Sequence, residues 1–502
     1  MKNAVAVLFS AIAIFACFCG SFANLNARAT HADESEQAAT LLKLDQTGEY
    51  KYNPEGPHGP ALYYWAEAAM KYAGAEIDIR SLRIAMLPVL GACLAAFFLL
   101  DAPIGFAGAR MAAAFFAITS TAQIYGAYFV HEILFALAVF LCALAVFKFA
   151  EKPTLAAAFA VGLFAGFAQT CKETSVIAFA SFAAGAAAVW ARDGFPKPNC
   201  ASIKNAPKFL AVAAAGFALV FVPLYSSFGE NPAGLLDAFK SYANHFLEKS
   251  EMAEFDSGWD FYLKLLFVQK SGGAWFGEIF TTSFAVAGTL CAAFGKSRGA
   301  RCALFFGVSA AAAIAVLSSL SYKTPWLILS PLMMACVPAG WFLAKAFDFS
   351  RAGACVLCAG AAAAYFLSPP LSNNAVVRFN SDPRNPFIFS HTVSDENNLL
   401  NRILECAKYS EYGSDIPVAF VGKVSPWPLP WQLRRFPNAG YWNSAPENLR
   451  QFEVVMADVF TVRDVAQKLG KGYVSDLFGL RKNTIITLFI KREIFERIVD
   501  GK

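Results

Sequence analysis

Ala4-Val-Ala-Val-Leu-Phe-Ser-Ala-Ile-Ala-Ile-Phe-Ala-Cys-Phe-Cys-Gly-Ser-Phe-Ala-Asn24 is followed a few residues on by His31-Ala32-Asp33-Glu34. The first stretch matches the roughly 20 apolar residues that a helix needs to cross about 30 Å of hydrocarbon. It reads as a membrane span, so an imidazole and two carboxylates surface where it ends. The same stretch also fits a cleaved secretory signal, since it begins after Lys2 and has small residues near Ala23. Its apolar run is longer than the usual signal core, which favours a retained helix. Under both readings residue 31 lies outside.

Working outward, 57% of the 502 residues are hydrophobic and 16% charged, against roughly a quarter charged in soluble domains. Apolar runs of spanning length recur as far as residue 367 and then stop. The chain is therefore a polytopic membrane protein. The net charge of +5 says little, because in a bilayer its distribution decides. Of the twelve Cys, Cys93, Cys142, Cys336 and Cys355 sit in apolar runs and Cys406 is alone in the polar tail. They make neither a disulfide framework nor a spaced metal set, and read as small buried thiols.

Eleven spans are expected, near 4–24, 83–100, 104–122, 131–149, 154–170, 174–191, 208–226, 275–294, 303–320, 326–346 and 352–367. Lys148 and Lys152, then Arg192, Lys197, Lys204 and Lys208, then Lys296, Arg298 and Arg301, then Lys345 and Arg351 fall in alternate connections. Placing these inside by the positive-inside rule leaves the 25–82 loop, the 227–274 loop and the tail from 368 outside. No internal repeat is visible, which weakens a transporter reading.

In the first external loop, residues 35–46 and 61–73 carry helical periodicity, with Tyr63, Tyr64 and Trp65 as amphipathic anchors. They read as two interfacial helices. Between them runs Tyr52-Asn-Pro-Glu-Gly-Pro-His58-Gly-Pro60, whose three prolines and two glycines exclude regular structure. Such a loop is expected either to hold His58 against Asp33 or simply to connect the helices. Asp33 and Glu34 form a candidate reactive pair beside His31. The structural alternative is that Asp33 or Ser35 caps a helix, with carboxylates favoured in its first turn.

Further polar residues stand at membrane rims. Glu132 opens the fourth span, either as a functional carboxylate or as an interfacial one paired with His131. Lys172-Glu173 fills a very short external turn, where Lys suits a phosphate or the two charges neutralise each other. Lys323 precedes Thr-Pro-Trp326, and Arg80 and Arg83 enter the second span on the side where cations are disfavoured. In the tail, Ile416–Val421, Phe452–Met456 and Thr484–Ile490 read as strands, and Asn397–Lys408 and Val462–Leu469 as helices, giving a small α/β domain. Trp427-Pro-Leu-Pro-Trp-Gln-Leu-Arg434 leaves a strand end, where open α/β sheets place ligands; packing is its alternative role. No phosphate-cradling Gly-rich motif follows these strands.

These motifs carry a resemblance. A first span, an external acidic pair and two interfacial helices resemble the GT-C superfamily of membrane-embedded glycosyltransferases, which includes protein O-mannosyltransferases and lipid A aminoarabinose transferases. His31-Ala-Asp-Glu34, Tyr52-Asn-Pro, His58-Gly-Pro-Ala-Leu-Tyr-Tyr64, Lys172-Glu-Thr, Lys323-Thr-Pro-Trp326 and Trp427–Arg434 more narrowly resemble prokaryotic flippase-activity-associated proteins of archaeal-type N-glycosylation. The aromatic segment Trp259-Asp-Phe-Tyr262, in the loop that also holds His245, resembles one that precedes a late GT-C span.

The resemblance implies a mainly α fold. A polytopic helix bundle over 1–370 would be followed by an extracytoplasmic α/β domain over 371–502, all in the cell (inner) membrane. It implies transfer of a sugar from a polyprenyl-phosphate donor to a glycan, lipid or protein acceptor, with inversion and no nucleic-acid partner. Asp33 and Glu34 would be catalytic, with Asp33 the general base. Arg83, Glu132, Lys172, Glu173 and Lys323 would bind the donor. His31, His58, Trp326, Trp427 and Arg434 would orient substrate. No cofactor is firmly implied; a divalent metal is compatible with the acidic and histidine residues. The alternative is a non-catalytic lipid-linked-sugar flippase or its associated membrane protein.

Overall fold

A computed structural model describes residues 1–56, 58–194, 200–248, 257–350, 352–353, 374–389 and 391–501. By packing, the chain divides into two compact units. One comprises Met1–Leu25 and Leu41–Arg378, the other Asn26–Thr40 and Phe379–Lys502. The expected boundary near 370 and most of the eleventh expected span, 352–367, lie outside the described residues.

The first unit is helical. α1 runs over Lys2–Ala27, α2 over Ala32–Thr47, α3 over Ala61–Ala73 and α4 over Ile79–Ala96. The division between the units passes through α2, and α2 and α3 lie where the interfacial helices are expected. Among the described residues seven helices are long and apolar enough to cross a membrane: Lys2–Ala27, Ile79–Ile104, Glu132–Glu151, Ser175–Arg192, Lys204–Tyr225, Arg298–Ser319 and Pro325–Phe349. Three shorter apolar helices, Phe106–Ala117, Leu155–Cys171 and Ile279–Phe294, meet the remaining expected spans up to residue 349. The span expected over 104–122 is interrupted: Thr119 Oγ1 accepts the Ala122 amide at 3.1 Å and starts a separate short helix, Ser120–Tyr125.

Burial sorts these helices. Over their apolar windows Pro325–Phe349 is 78% buried and Glu132–Glu151 67%, whereas Lys204–Tyr225 is 17% buried. The first two form the interior of the bundle and the third lies on its outside. Helix Leu155–Cys171 packs on Cys200–Tyr225 through Gly162, where a Cβ would stand 1.8 Å from the Ala213 carbonyl oxygen. Lipid gives helices no hydrophobic drive to associate, so small residues that let backbones approach supply the contact.

In the second unit β3 (Val418–Val421), β4 (Ala439–Trp442), β5 (Val454–Asp458), β6 (Tyr473–Arg481) and β7 (Thr484–Lys491) form a sheet of order β4-β3-β5-β7-β6. The strands β4, β3 and β5 are parallel; β7 and β6 return antiparallel. Side chains alternate across β3. Val418 and Phe420 join Leu399, Ile403 and Met456 on one face, and Ala419 and Val421 join Val455, Val465 and Leu469 on the other. Helices Glu396–Tyr409 and Val462–Leu469 cover those two faces, so β3 is buried along its whole length and reads as a continuous apolar run. A separate small hairpin, β1 (Gln269–Ser271) with β2 (Ala274–Phe276), precedes helix Ile279–Phe294 in the first unit.

Candidate functional site

The expected site residues fall into two clusters, one in each unit. In the second unit the start of α2 is built from its own side chains. His31 is the residue before the helix, and its Nδ1 accepts the Asp33 amide at 3.0 Å. Glu34 Oε2 reaches back to the His31 amide at 3.3 Å, and Ser35 Oγ donates to the His31 carbonyl at 3.0 Å. This is the reciprocal capping arrangement in which the third helical residue supports the cap, with imidazole in place of a hydroxyl. The helix is therefore capped by His31, not by Asp33 or Ser35 as the structural alternative had it.

His31 Nε2 donates to the Phe389 carbonyl at 2.8 Å, which fixes the tautomer and leaves the Nδ1 lone pair for the amide. Glu34 is fully buried, 3.8 Å from Arg28 Nη2. Asp33 is the exception: its side chain is 44% exposed, with Oδ1 3.7 Å from His31 Nδ1. Burial, with a smaller contribution from the Asp33 charge, pushes the neighbouring Glu36 carboxyl up from its ordinary range. Asp33 thus offers an open carboxylate on a rigid helix start.

The first unit holds a buried polar network. Glu132, the first residue of helix Glu132–Glu151, is ion-paired with Lys172 Nζ, and the two side chains are only 5% and 4% exposed. Glu173 takes the His58 Nδ1–H at 3.0 Å and the Tyr52 hydroxyl at 3.4 Å. His131 instead donates Nε2–H to the Gly59 carbonyl at 2.9 Å, and its ring stands edge-on to His58 at 5.3 Å. Two expectations are corrected here. Glu132 pairs with Lys172, not His131, and Lys172 and Glu173 each face a distant partner and do not neutralise one another. The reason is directional: adjacent residues at a helix junction point apart. His58, expected against Asp33, gives its ring to Glu173.

The Tyr52–Pro60 loop reaches this network by close approach. The Gly59 amide donates to the Cys171 carbonyl at 3.2 Å, and a Cβ there would lie 2.1 Å from the Thr170 oxygen. His58 adopts φ 44°, a left-handed conformation that non-glycine residues adopt at a cost.

The other expected residues have partners of their own. Arg83 is buried, and its Nη1 donates to the Leu25 carbonyl at 2.9 Å, a cation at the C-terminal end of α1. Lys323 is buried and donates to the carbonyls of Ser257, at 2.7 Å, and Leu320. Trp326 is buried edge-on to Tyr125, with ring centroids 6.4 Å apart. In the second unit the Trp427 carbonyl accepts Arg481 Nη1, and the exposed Arg434 lays its guanidinium 3.9 Å over the Trp431 ring.

Arg28 and His391 belong to the Asp33 neighbourhood and were not singled out by sequence. Arg28 is buried beside Glu34, and the His391 ring lies 5.2 Å from that of His31. A cation three residues before His31 was the one available signal. Among the described residues no three His, Cys, Asp or Glu side chains group as metal ligands.

Comparison with protein-family profiles finds no match, and no curated protein matches the chain. Solved structures do. ArnT from Cupriavidus metallidurans, solved bound to undecaprenyl phosphate, is 14% identical with a TM-score of 0.61, covering 96% of this chain and 97% of its own. The apo oligosaccharyltransferase of Archaeoglobus fulgidus is 14% identical with a TM-score of 0.55, covering 99% of this chain and 77% of its own. AglB from the same organism, in complex with an inhibitory peptide and a dolichol-phosphate, is 13% identical at 0.55, covering 98% and 76%. At these identities the likeness is one of fold: the chain shares the polytopic membrane fold of these proteins.

Proposed function

We propose that this chain is a multi-pass glycosyltransferase of the cell (inner) membrane. It moves a sugar from a polyprenyl-phosphate donor to an acceptor on the extracytoplasmic face, the side assigned to the C-terminal α/β unit. The observation that carries this reading is Asp33, a half-exposed carboxylate on a helix start whose other side chains are spent on holding it. The fold adds support, since ArnT was solved with undecaprenyl phosphate and AglB with a dolichol-phosphate, both isoprenoid phosphates.

Asp33 takes the proton of the acceptor hydroxyl as that oxygen attacks the anomeric carbon. The bond from that carbon to the phosphate oxygen breaks, the electron pair leaves with the phosphate, and the anomeric centre inverts. General-base assistance of this kind contributes about 10²–10⁴ in rate. The departing phosphate gains negative charge, which a nearby cation would stabilise. His31 and Glu34 act as positioning residues for Asp33, and His58 with Glu173 holds the loop beside Lys172.

The test is the purified full-length chain in nanodiscs with labelled polyprenyl-phosphate sugars. Wild type is expected to form a glycosidic bond, and Asp33→Asn to lose about 10²–10⁴ of that rate at an unchanged melting temperature. Equal transfer by both removes Asp33 from the reaction. Labelled lipid crossing a vesicle bilayer with no bond formed replaces the transferase reading with a translocator.

A further inference from the structure

Helix Ile279–Phe294 is short for a span. Its 16 residues make about 24 Å at about 1.5 Å each, about 6 Å less than a hydrocarbon layer of roughly 30 Å. Val286, Leu290 and Phe294, four residues apart on one stripe, are exposed and apolar, as a lipid-facing side requires.

The chain before this helix carries that exposed apolar surface further. Trp259 is 71% exposed, Leu263 stands open on the short helix Phe261–Leu266, Phe267 and Val268 follow it, and Trp275 on β2 is 47% exposed. The opposite side of the segment is pinned. Tyr262, Leu265, Leu266 and Phe276 are buried, and the Tyr262 hydroxyl donates to the Thr324 carbonyl at 3.2 Å. The Glu278 amide donates to the Leu265 carbonyl at 3.1 Å and Thr282 Oγ1 to the Leu266 carbonyl at 2.7 Å. At Gly277 a Cβ would stand 2.1 Å from the Phe267 carbonyl oxygen. The outward side chains are therefore held out by a fixed base.

Gly272 and Gly273, with φ 53° and 85°, make the tight two-residue turn between β1 and β2. Lys270 is paired with Trp275 across the hairpin, so both lie on one face, with Nζ 5.8 Å from the ring centroid. An indole with an apolar body and one N–H suits the headgroup level of a bilayer, and Lys lays its methylenes on apolar surface while its ammonium meets phosphate. A two-stranded hairpin leaves backbone N–H and C=O groups unpaired along its edges, which closes the hydrocarbon to it but not the wet headgroup layer. Apolar side chains draw the segment in, and its backbone stops it.

We propose that residues 261–276 lie in the phospholipid headgroup layer at the end where helix Ile279–Phe294 begins. Trp275 and Lys270 sit among the phosphates, and Phe267 and Val268 add the apolar length that the helix lacks. The proposal is independent of the transferase reading and holds whether or not a sugar is transferred.

The test uses the full-length protein in nanodiscs of phosphatidylcholine brominated at successive acyl positions, since bromine quenches indole emission on contact. Wild-type emission minus that of Trp275→Phe isolates one of the nine Trp. The same difference for Trp259→Phe gives a second reading should Trp275→Phe disturb the hairpin. Emission is expected to be lost most with bromines next to the glycerol and least with bromines near the chain ends. No loss with any brominated lipid overturns the proposal, because the patch then faces water or a soluble partner. Greatest loss with the deepest bromines overturns the headgroup placement.

The added length is tested by the double variant Phe267→Ser with Val268→Ser. Its melting temperature is expected to fall more, relative to wild type, in thick dioleoyl than in thin dimyristoleoyl phosphatidylcholine, because a short span is strained more by a thicker bilayer. An equal fall in both overturns the extension of the helix, since packing within the protein takes no account of bilayer thickness.

Discussion

Asp33 and Glu132 are both acidic residues in the first turn of a helix, where the dipole favours them, yet their surroundings differ. Glu132 is buried and matched by Lys172; Asp33 is half open to solvent beside an imidazole whose two nitrogens are already committed. A buried charge in a membrane bundle needs a partner: Glu132 and Lys172 supply one another, while Arg83 and Lys323 are held by backbone carbonyls. In the second unit Arg28, His31 and Glu34 are spent on fixing the backbone beside Asp33, whose side chain stays half open. A closed pair holds structure or awaits an anion that competes for the cation. An open carboxylate is ready to take a proton.

The largest effect that can break this contrast lies in the pair. Lys172→Met leaves Glu132 buried without its cation and is expected to cost about 3–5 kcal/mol, read as a fall in melting temperature in detergent. The double variant Lys172→Met with Glu132→Leu removes both charges and is expected to recover most of that loss. A single variant as stable as wild type would mean that the pair is solvated and the contrast with Asp33 false.

The sequence makes one side of this contrast more legible than the other. Apolar runs mark the spans because every residue of a spanning helix must satisfy lipid locally. The helices over Ala32–Thr47 and Ala61–Ala73 and the strand Val418–Val421 are legible for the same reason, since their periodicity or apolar run is local. The edge strand Ala439–Trp442 carries Gly440 and no alternation, so it left no signal. Partnerships are different. Glu132 meets Lys172 across 40 residues, and His31 meets the Phe389 carbonyl across 358. Nothing in the local pattern encodes such a distance, so sequence found the charged residues at the rims but not their pairing. Nor did it show that Asn26–Thr40 packs with the C-terminal unit.

A third carboxylate sharpens the rule from the other direction. Glu396 is buried in the second unit. Burial pushes its carboxyl up to about 7, against a smaller downward pull from Gln432. Between its ordinary value near 4.5 and about 7 the folded chain keeps a proton that the unfolded chain has lost. Raising the pH through that window therefore favours unfolding. The stabilising contribution is whole below about 4.5 and gone above about 7, a loss on the order of 3 kcal/mol. Glu396→Gln is expected to flatten the pH dependence of melting across this range. An unchanged slope would mean that another group supplies the proton.

The smallest effect belongs to a charge whose partner is its own neighbour. Arg434 is exposed, stacks 3.9 Å over Trp431 and donates to the Trp431 carbonyl at 2.9 Å. A cation over an aromatic face at an exposed site contributes about 0.5–1 kcal/mol, so Arg434→Ala is expected to lower stability by about that much. Because the guanidinium already covers Trp431, donor KM should stay within about twofold. A tenfold rise in donor KM at unchanged stability would show that the stacked guanidinium leaves its ring to meet substrate. The division between closed and open charges would then have to be drawn by what each charge can release, rather than by what it touches in the free protein.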